Sequence, residues 1–432
     1  MKTYAIHTLG CKVNTYESEA ISRLFEAHDY HKVSFKEIAD VYIINTCTVT
    51  NTGDSKSRNM IRRAIKRNPD AVVAVVGCYS QVAPEEISSI EGVDIVLGTQ
   101  FRNEIVDLCE QHMLSHQQIT KVRNVLKEKE FEELNVDVFT ENTRAFLKIE
   151  DGCNKFCTYC IIPYARGLVR SRKKEHVIEQ AQQLVNNGFV EIVLTGIHTG
   201  AYGLDLENYD FDHLIEDMIK EVKGLKRLRI SSIEVNQITD HMIDMIGKGH
   251  VIVDHLHIPI QSGCDTVLKR MNRKYTTQQY KDFVARLRKA VPDIALTTDV
   301  IVGFPQETEE EFEETVQFIK DVNFSELHVF PYSRRKGTPA AKMDGQVDER
   351  IKDQRVKTLI QLSEKMHQEY AKKFIGKTLE VIFEERFTDE YMTGHSGNYL
   401  KIIAKGNEDL IGKITKVQIT SVNSFGIEGI VL

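Results

Sequence analysis

Three cysteines in "EDGCNKFCTYCIIPYARG", Cys153, Cys157 and Cys160, are spaced C-x3-C-x2-C. For eight cysteines scattered over 432 residues, chance would give on the order of 0.003 such triplets. Three thiolates on one short loop can grip three irons of a four-iron cluster and leave the fourth open to a non-protein ligand. Zinc would ask for a fourth protein ligand, and no histidine or further cysteine lies close by in sequence. Zinc or plain structural thiols stand as the other reading of these three residues.

Cys11, Cys47 and Cys78 stand apart in sequence, yet each closes a stretch that reads as a strand: YAIHTLG-C, VYIINT-C and AVVAVVG-C. In a parallel sheet such ends share one edge, where binding crevices form. Neighbouring strands lie about 4.8 Å apart, so three thiolates there come within reach of one cluster. Gly10 and Gly77, beside two of them, would let backbone approach without a side chain in the way. Taken singly, each cysteine also suits a small buried hydrophobe. Cys109, mid-helix in VDLCEQH, reads that way. So does Cys264 in "IPIQSGCDTVLKRMNRKY", although its place after a later strand would let it face the site.

The elements that must position these residues fall into three textures. Over residues 1–113, the runs 4–9, 41–45, 71–77 and 93–98 read as strands, with helical spacing between them in YESEAISRLFEAH and SRNMIRRAIKRN. That pattern predicts a doubly wound α/β domain with a parallel sheet. Residues 114–138 are polar and read as a linker. Over residues 139–369, six candidate strands (145–150, 191–197, 227–234, 255–262, 294–304 and 326–333) alternate with helices, which suits a partial (βα)6 barrel with its chemistry at the carboxyl ends of the strands. A helical stretch around 347–374 follows. Residues 371–432 alternate short strand patterns with glycine turns and read as a small all-β barrel.

Hydrophobic content of 41% is ordinary for a globular chain. No apolar run approaches the roughly 18 residues that span a bilayer, and the start MKTYAIHTLG lacks the basic-then-apolar layout of a signal peptide. These features point to the cytoplasm, to no membrane partner and to reduced thiols. Net charge is −7, but basic residues cluster locally. Arg58, Arg62 and Lys66 recur every four residues on one helix face, in a run that also holds Lys56, Arg63 and Arg67. Arg166, Arg170, Arg172, Lys173 and Lys174 follow the three-cysteine loop. Arg58, Arg62, Lys66, Arg170, Arg172 and Lys173 are candidate phosphate contacts, or else a solvated face. The tail 371–432 carries eight basic and eight acidic residues and is not strongly basic.

The C-x3-C-x2-C motif opening a domain of about six strand-helix units resembles the radical S-adenosylmethionine enzymes. The resemblance implies that Cys153, Cys157 and Cys160 hold a 4Fe-4S cluster. Its open iron would bind S-adenosylmethionine, whose reductive cleavage gives methionine and a 5′-deoxyadenosyl radical. Tyr159 matches the aromatic position that contacts the adenine. Gly196 in "LTGIHTGAYG" matches the turn that meets the methionyl amino group. Ser232 and Glu234 in "RISSIE" are candidate ribose or sulfonium-side contacts, and Val302 in "DVIVGFPQETEEEF" matches the strand that packs on the adenine.

With Cys11, Cys47 and Cys78 before this domain and a small barrel after it, the chain resembles the methylthiotransferases over essentially its whole length. "HIPIQSG", "LKRMNRKYT" and "GFPQET" match that family's wording. The barrel is similar to the RNA-binding TRAM domain. The resemblance implies a second 4Fe-4S cluster on Cys11, Cys47 and Cys78 whose open iron presents the sulfur to be transferred, two S-adenosylmethionines consumed per product, and an unidentified low-potential electron donor. "GCKVN" resembles the branch that methylthiolates carbon 2 of N6-threonylcarbamoyladenosine in tRNA. Branches acting on isopentenyladenosine or on a ribosomal protein, a radical methyltransferase or other sulfur-inserting enzyme, and a non-catalytic iron–sulfur RNA-binding protein are the alternatives.

Overall fold

The computed structural model describes residues 2–136, 138–139, 143–249 and 251–432. The chain opens with a six-stranded parallel sheet: β1 (Thr3–Thr8), β2 (His31–Lys32), β3 (Val41–Thr46), β4 (Val72–Gly77), β5 (Ile95–Leu97) and β6 (Ile119–Lys121), in the order β2-β1-β3-β4-β5-β6. β3 and β4, VYIINT and VVAVVG, are buried along their whole length, as expected of strands covered on both faces. Alternate residues feed two cores. Ile43 and Ala74 face Ile21 and Phe25 of helix α1 (Lys12–Ala27). Tyr42 and Val73 face Ile61 and Ala64 of helix α2 (Asn51–Arg67). Strand order reverses between β1 and β3, which makes the crevice above their carboxyl ends the topological switch point.

The segment 114–138 is more than a linker. Ile119–Lys121 pairs with β5 as the last strand of this sheet, and Leu134 and Val136 enter the core of the second domain. Its polar character hid the short strand and the two buried apolar residues.

The second domain carries β7 (Ala145–Lys148), the short antiparallel pair β8 (Glu150–Asp151) and β9 (Arg170–Ser171), then β10 (Glu191–Thr195), β11 (Arg227–Ile230), β12 (His255–His257), β13 (Ala295–Val302) and β14 (Glu326–Pro331). The six long strands form two parallel three-stranded sheets, β11-β10-β7 and β12-β13-β14, linked by the pairing of Leu228 with Ile252 just before β12. All six strands expected from the sequence are present, as a partial barrel. The period of two along each strand sends Arg229, His255, His257, Thr297, Asp299, His328 and Phe330 into the interior. Helix α1 packs against β7, and its Tyr16 and Ala20 join the barrel's outer core.

The helix Glu349–Lys372 leads into β15 (Thr378–Arg386), β16 (Tyr391–Ser396), β17 (Lys401–Lys405), β18 (Ile414–Asn423) and β19 (Gly426–Val431), which close into a barrel in the order β15-β16-β17-β19-β18. This barrel seals one end of the second domain. Tyr399 is stacked between His255 and His395, each 4.8 Å away centroid to centroid, and Arg229 Nη2 donates to the Ser396 carbonyl at 3.3 Å. Among the described residues, no helix is long and apolar enough to cross a membrane.

Candidate cluster-binding active site

The three cysteine-bearing strands β1, β3 and β4 are consecutive neighbours in the sheet, so Cys11, Cys47 and Cys78 emerge side by side at the switch point. Cys11 caps the amino terminus of α1. Gly10, at φ +108°, lies so close to Cys47 that an added Cβ would come within 2.8 Å of the Cys47 Cβ. Asn14 ties the strand ends together, donating to the Leu9 carbonyl at 2.6 Å and the Thr46 carbonyl at 3.0 Å.

The loop bearing Cys153, Cys157 and Cys160 is clasped by β8 and β9. Cys153 N donates to the Gly167 carbonyl at 2.9 Å, and Gly152, at φ +93°, has no room for a side chain against the Leu168 carbonyl. Each cysteine set receives one arginine. Arg166 Nε donates to Cys78 Sγ at 3.2 Å, and Arg273 Nη1 donates to Cys157 Sγ at 3.3 Å. Arg166 is held in turn by Asn14 and Glu17 and lies in a wholly buried network with Arg102, Lys148 and Asp151. Arg273 pairs with Glu234 at 2.8 Å.

The donor set fits iron–sulfur clusters. Soft thiols are gathered in two threes, and charged N–H donors aim at one sulfur of each, the kind of contact that tunes a cluster. Burial pushes Cys78, Cys153 and Cys160 up to about 12, so at neutral pH it takes a bound metal to draw off these protons. Among the described residues, no three histidine, cysteine or acidic side chains close around a point as a single ion would require.

A cavity of about 490 Å³ fills the barrel interior, bounded by Cys11, Lys12, Gly196, Ser232, Asp299, Phe330 and Tyr399. Residues from all three domains therefore share one chamber. A second hollow of about 240 Å³, bounded by Tyr159, Cys160, Ile301 and Phe330, adjoins it through Asp299 and Phe330. Gly196 earns its place sterically, because a Cβ there would meet Glu150 Oε2 at 2.7 Å. Glu150 is fully buried, accepts from His198 N at 2.8 Å and is pushed well above the usual carboxyl range by burial. Burial likewise draws the neighbouring His198 down to about 4. Glu234 is engaged by Arg273 and by Lys155 at 3.2 Å.

Three expected contacts are placed elsewhere by the structure. Val302 is fully buried in the outer core, and its neighbour Ile301 faces the hollow beside Tyr159; one residue's slip along a strand reverses the face. Arg170 and Arg172 are each 1% exposed and so do not reach phosphate. Arg170 donates to the Arg166 carbonyl at 2.9 Å, and Arg172 to Glu133 at 2.7 Å. Arg62, Lys66 and Lys173 are exposed, whereas Arg58 is half-buried against Tyr79 and Glu86. Cys264 packs among Val267, Met271 and Phe304, and Cys109 is fully buried in the first domain's core.

Sequence reasoning singled out Arg166 and Arg273 only as part of a basic run and of a family phrase. Their positions, six residues after Cys160 and inside "MNRKY", were the available signal. Nothing local marked Glu17, Glu150 or Ile301.

Residues 147–319 match the radical SAM superfamily, residues 3–98 the uncharacterized protein family UPF0004, and residues 372–432 the TRAM domain. The chain is 57% identical to the threonylcarbamoyladenosine tRNA methylthiotransferase MtaB of Bacillus subtilis over 97% of its own length and 94% of that protein. It is 36% identical to a tRNA-2-methylthio-N(6)-dimethylallyladenosine synthase of Carboxydothermus hydrogenoformans over 100% of its length and 99% of that protein. Among solved structures it is similar in fold to the radical S-adenosylmethionine methyltransferase TsrM of Kitasatospora setae. The TM-score is 0.57 at 12% identity, over 91% of this chain and 81% of the other.

Proposed function

The chain belongs to the methylthiotransferase family of radical S-adenosylmethionine enzymes, and we propose that it adds a methylthio group to carbon 2 of N6-threonylcarbamoyladenosine beside the anticodon of tRNA. The observation that carries this reading is the single chamber where the Cys11 loop meets the strand ends bearing Gly196 and Ser232. Sulfur transfer to the carbon where a radical forms requires both centres to face one substrate, and two separated clefts would not serve. Identity of 57% to the threonylcarbamoyladenosine enzyme against 36% to the dimethylallyladenosine enzyme favours the first substrate.

The carbon attacked bears an aromatic C–H with no acidic proton and no leaving group, so bound S-adenosylmethionine and two 4Fe-4S clusters supply one-electron chemistry that side chains cannot. Cys153, Cys157 and Cys160 would hold one cluster, with Arg273 fixing the Cys157 sulfur and Glu234 balancing the arginine. Cys11, Cys47 and Cys78 would hold the other, with Arg166 fixing the Cys78 sulfur. Gly196 leaves room for the methionyl group, Ser232 offers a hydroxyl to the sugar, and Tyr159 with Ile301 walls the hollow suited to the adenine. Phe330, 45% exposed between the two hollows, is placed to keep water from the reacting carbon. Arg62, Lys66 and Lys173 are the exposed cations left to meet tRNA phosphate. A low-potential donor must deliver the electrons, and the cytoplasm is where tRNA and such donors meet.

Mass spectrometry of tRNA nucleosides from cells lacking this protein tests the reading. Loss of the methylthio form of threonylcarbamoyladenosine, with its unmodified precursor accumulating, is expected. Loss of the isopentenyl counterpart would overturn it.

A further inference from the structure

The chamber is electrostatically lopsided. Lys12, next to Cys11, lines it and pairs with no carboxylate among the described residues. Deeper in the same wall lies Arg229, 1% exposed. Its Nε and Nη2 bind Glu191 at 2.6 and 3.3 Å, but its Nη1 has no hydrogen-bond partner among the described residues. Arg144 stands behind them on Glu384 at 3.2 Å. The acidic residue lining the chamber, Asp299, sits with His257 Nε2 at 3.3 Å. A buried guanidinium N–H without an acceptor, beside a lysine that makes no direct ion pair and shares the Glu191 charge with Arg229, is costly unless a ligand supplies an anion.

Resting on the reading above, we propose that Lys12 and Arg229 form the subsite for the carboxylate of the threonylcarbamoyl group, and so select this nucleoside against those with an apolar N6 substituent. Carbon 2 and the N6 substituent of adenine flank ring nitrogen 1. A residue adjoining Cys11 is therefore suited to meet that substituent when carbon 2 faces the Cys11 centre. An isopentenyl group there would leave Arg229 Nη1 and the Lys12 ammonium without an acceptor, which penalises the wrong substrate as well as favouring the right one. The amino-acid end of S-adenosylmethionine carries a carboxylate too, so the test separates these two sources.

Full-length protein with its clusters reconstituted is titrated with anticodon stem-loops carrying threonylcarbamoyladenosine, its carboxyl methyl ester, isopentenyladenosine or adenosine, and separately with S-adenosylmethionine. Wild type is expected to bind the threonylcarbamoyl form about tenfold more tightly than its ester, the scale of one charged hydrogen-bonded contact. Lys12→Met should remove most of that difference, Lys12→Arg should keep it, and neither should change S-adenosylmethionine binding. The ester comparison reads the carboxylate in unmutated protein, so a folding defect cannot imitate it. A wild type that binds acid and ester alike overturns the subsite, as does Lys12→Met that keeps the difference or loses S-adenosylmethionine instead. Preference of wild type for the isopentenyl loop overturns the substrate reading and the subsite together.

Discussion

Arg166 Nε lies 3.2 Å from Cys78 Sγ while its Nη2 lies 3.0 Å from Glu17 Oε2. One guanidinium thus joins the third cysteine of the strand-end set to a carboxylate on α1, from a residue that follows the radical-cluster loop by six positions. Because Arg166 and Glu17 are fully buried, truncating the arginine would remove one of the three cations that hold this carboxylate, leaving Arg102 and Lys148, and would strip Asn14 and Cys78 of their buried donor. Arg166→Met is expected to lose about 3–5 kcal/mol of unfolding free energy, as for other broken buried pairs. Urea unfolding under anaerobic conditions measures this; a loss within 1 kcal/mol, roughly the worth of a surface pair, would refute the buried network as a source of stability.

The two cysteine sets should separate by function. Replacing Cys153, Cys157 and Cys160 by Ala should abolish reductive cleavage of S-adenosylmethionine. Replacing Cys11, Cys47 and Cys78 should preserve that cleavage and abolish methylthiolation. Each triple variant should retain about half the iron of wild type, one four-iron cluster of two. Full iron content in either variant would show that its cysteines are not the ligands.

Burial has already divided the basic residues. Arg62→Ala and Lys66→Ala, at exposed positions, should each flatten the salt dependence of tRNA binding by about one unit of slope, without affecting stability. Arg172→Ala should instead destabilise the fold, since Arg172 holds Glu133 and Asn135 of the connecting segment. Binding isotherms at several salt concentrations, beside thermal melts, distinguish the two; an unchanged slope for the exposed pair would remove them from the RNA path.

Acid should unfasten the interface between the first two domains. Burial alone would push Glu17 up, but Arg102, then Arg166 and Lys148, more than offset it and hold the carboxyl at about 2, against 4.5 when unfolded. A depressed carboxyl contributes stability that is fully present above its unfolded value and is lost as pH falls toward its folded one. Asp151 is depressed in the same network. Unfolding free energy should therefore fall between about pH 5 and pH 2, and Glu17→Gln, weaker at neutral pH, should show a shallower fall. Equal slopes would exclude Glu17 as the titrating group.

Much of this architecture was written in short stretches. VYIINT and AVVAVVG announce doubly covered strands because burial on both faces demands unbroken apolar runs, and a cysteine after each lands on one edge because parallel strands end together. The C-x3-C-x2-C loop needs nothing beyond its own eight residues. Strand existence and cysteine spacing are local properties, readable within a few positions. The role of Val302 was not local: β13 ends in the apolar run 300–302, and only closure of the barrel shows that Ile301 looks inward. Nor could charge alone tell Arg62, which faces water, from Arg172, which is buried, because the partners of Arg172 come from a separate stretch. Arg166 and Glu17 are 149 positions apart, and the cations of Lys12 and Arg229 share a chamber only once three domains have closed on it. Long-range pairing of buried charges depends on which surfaces meet, and the folded chain alone decides that.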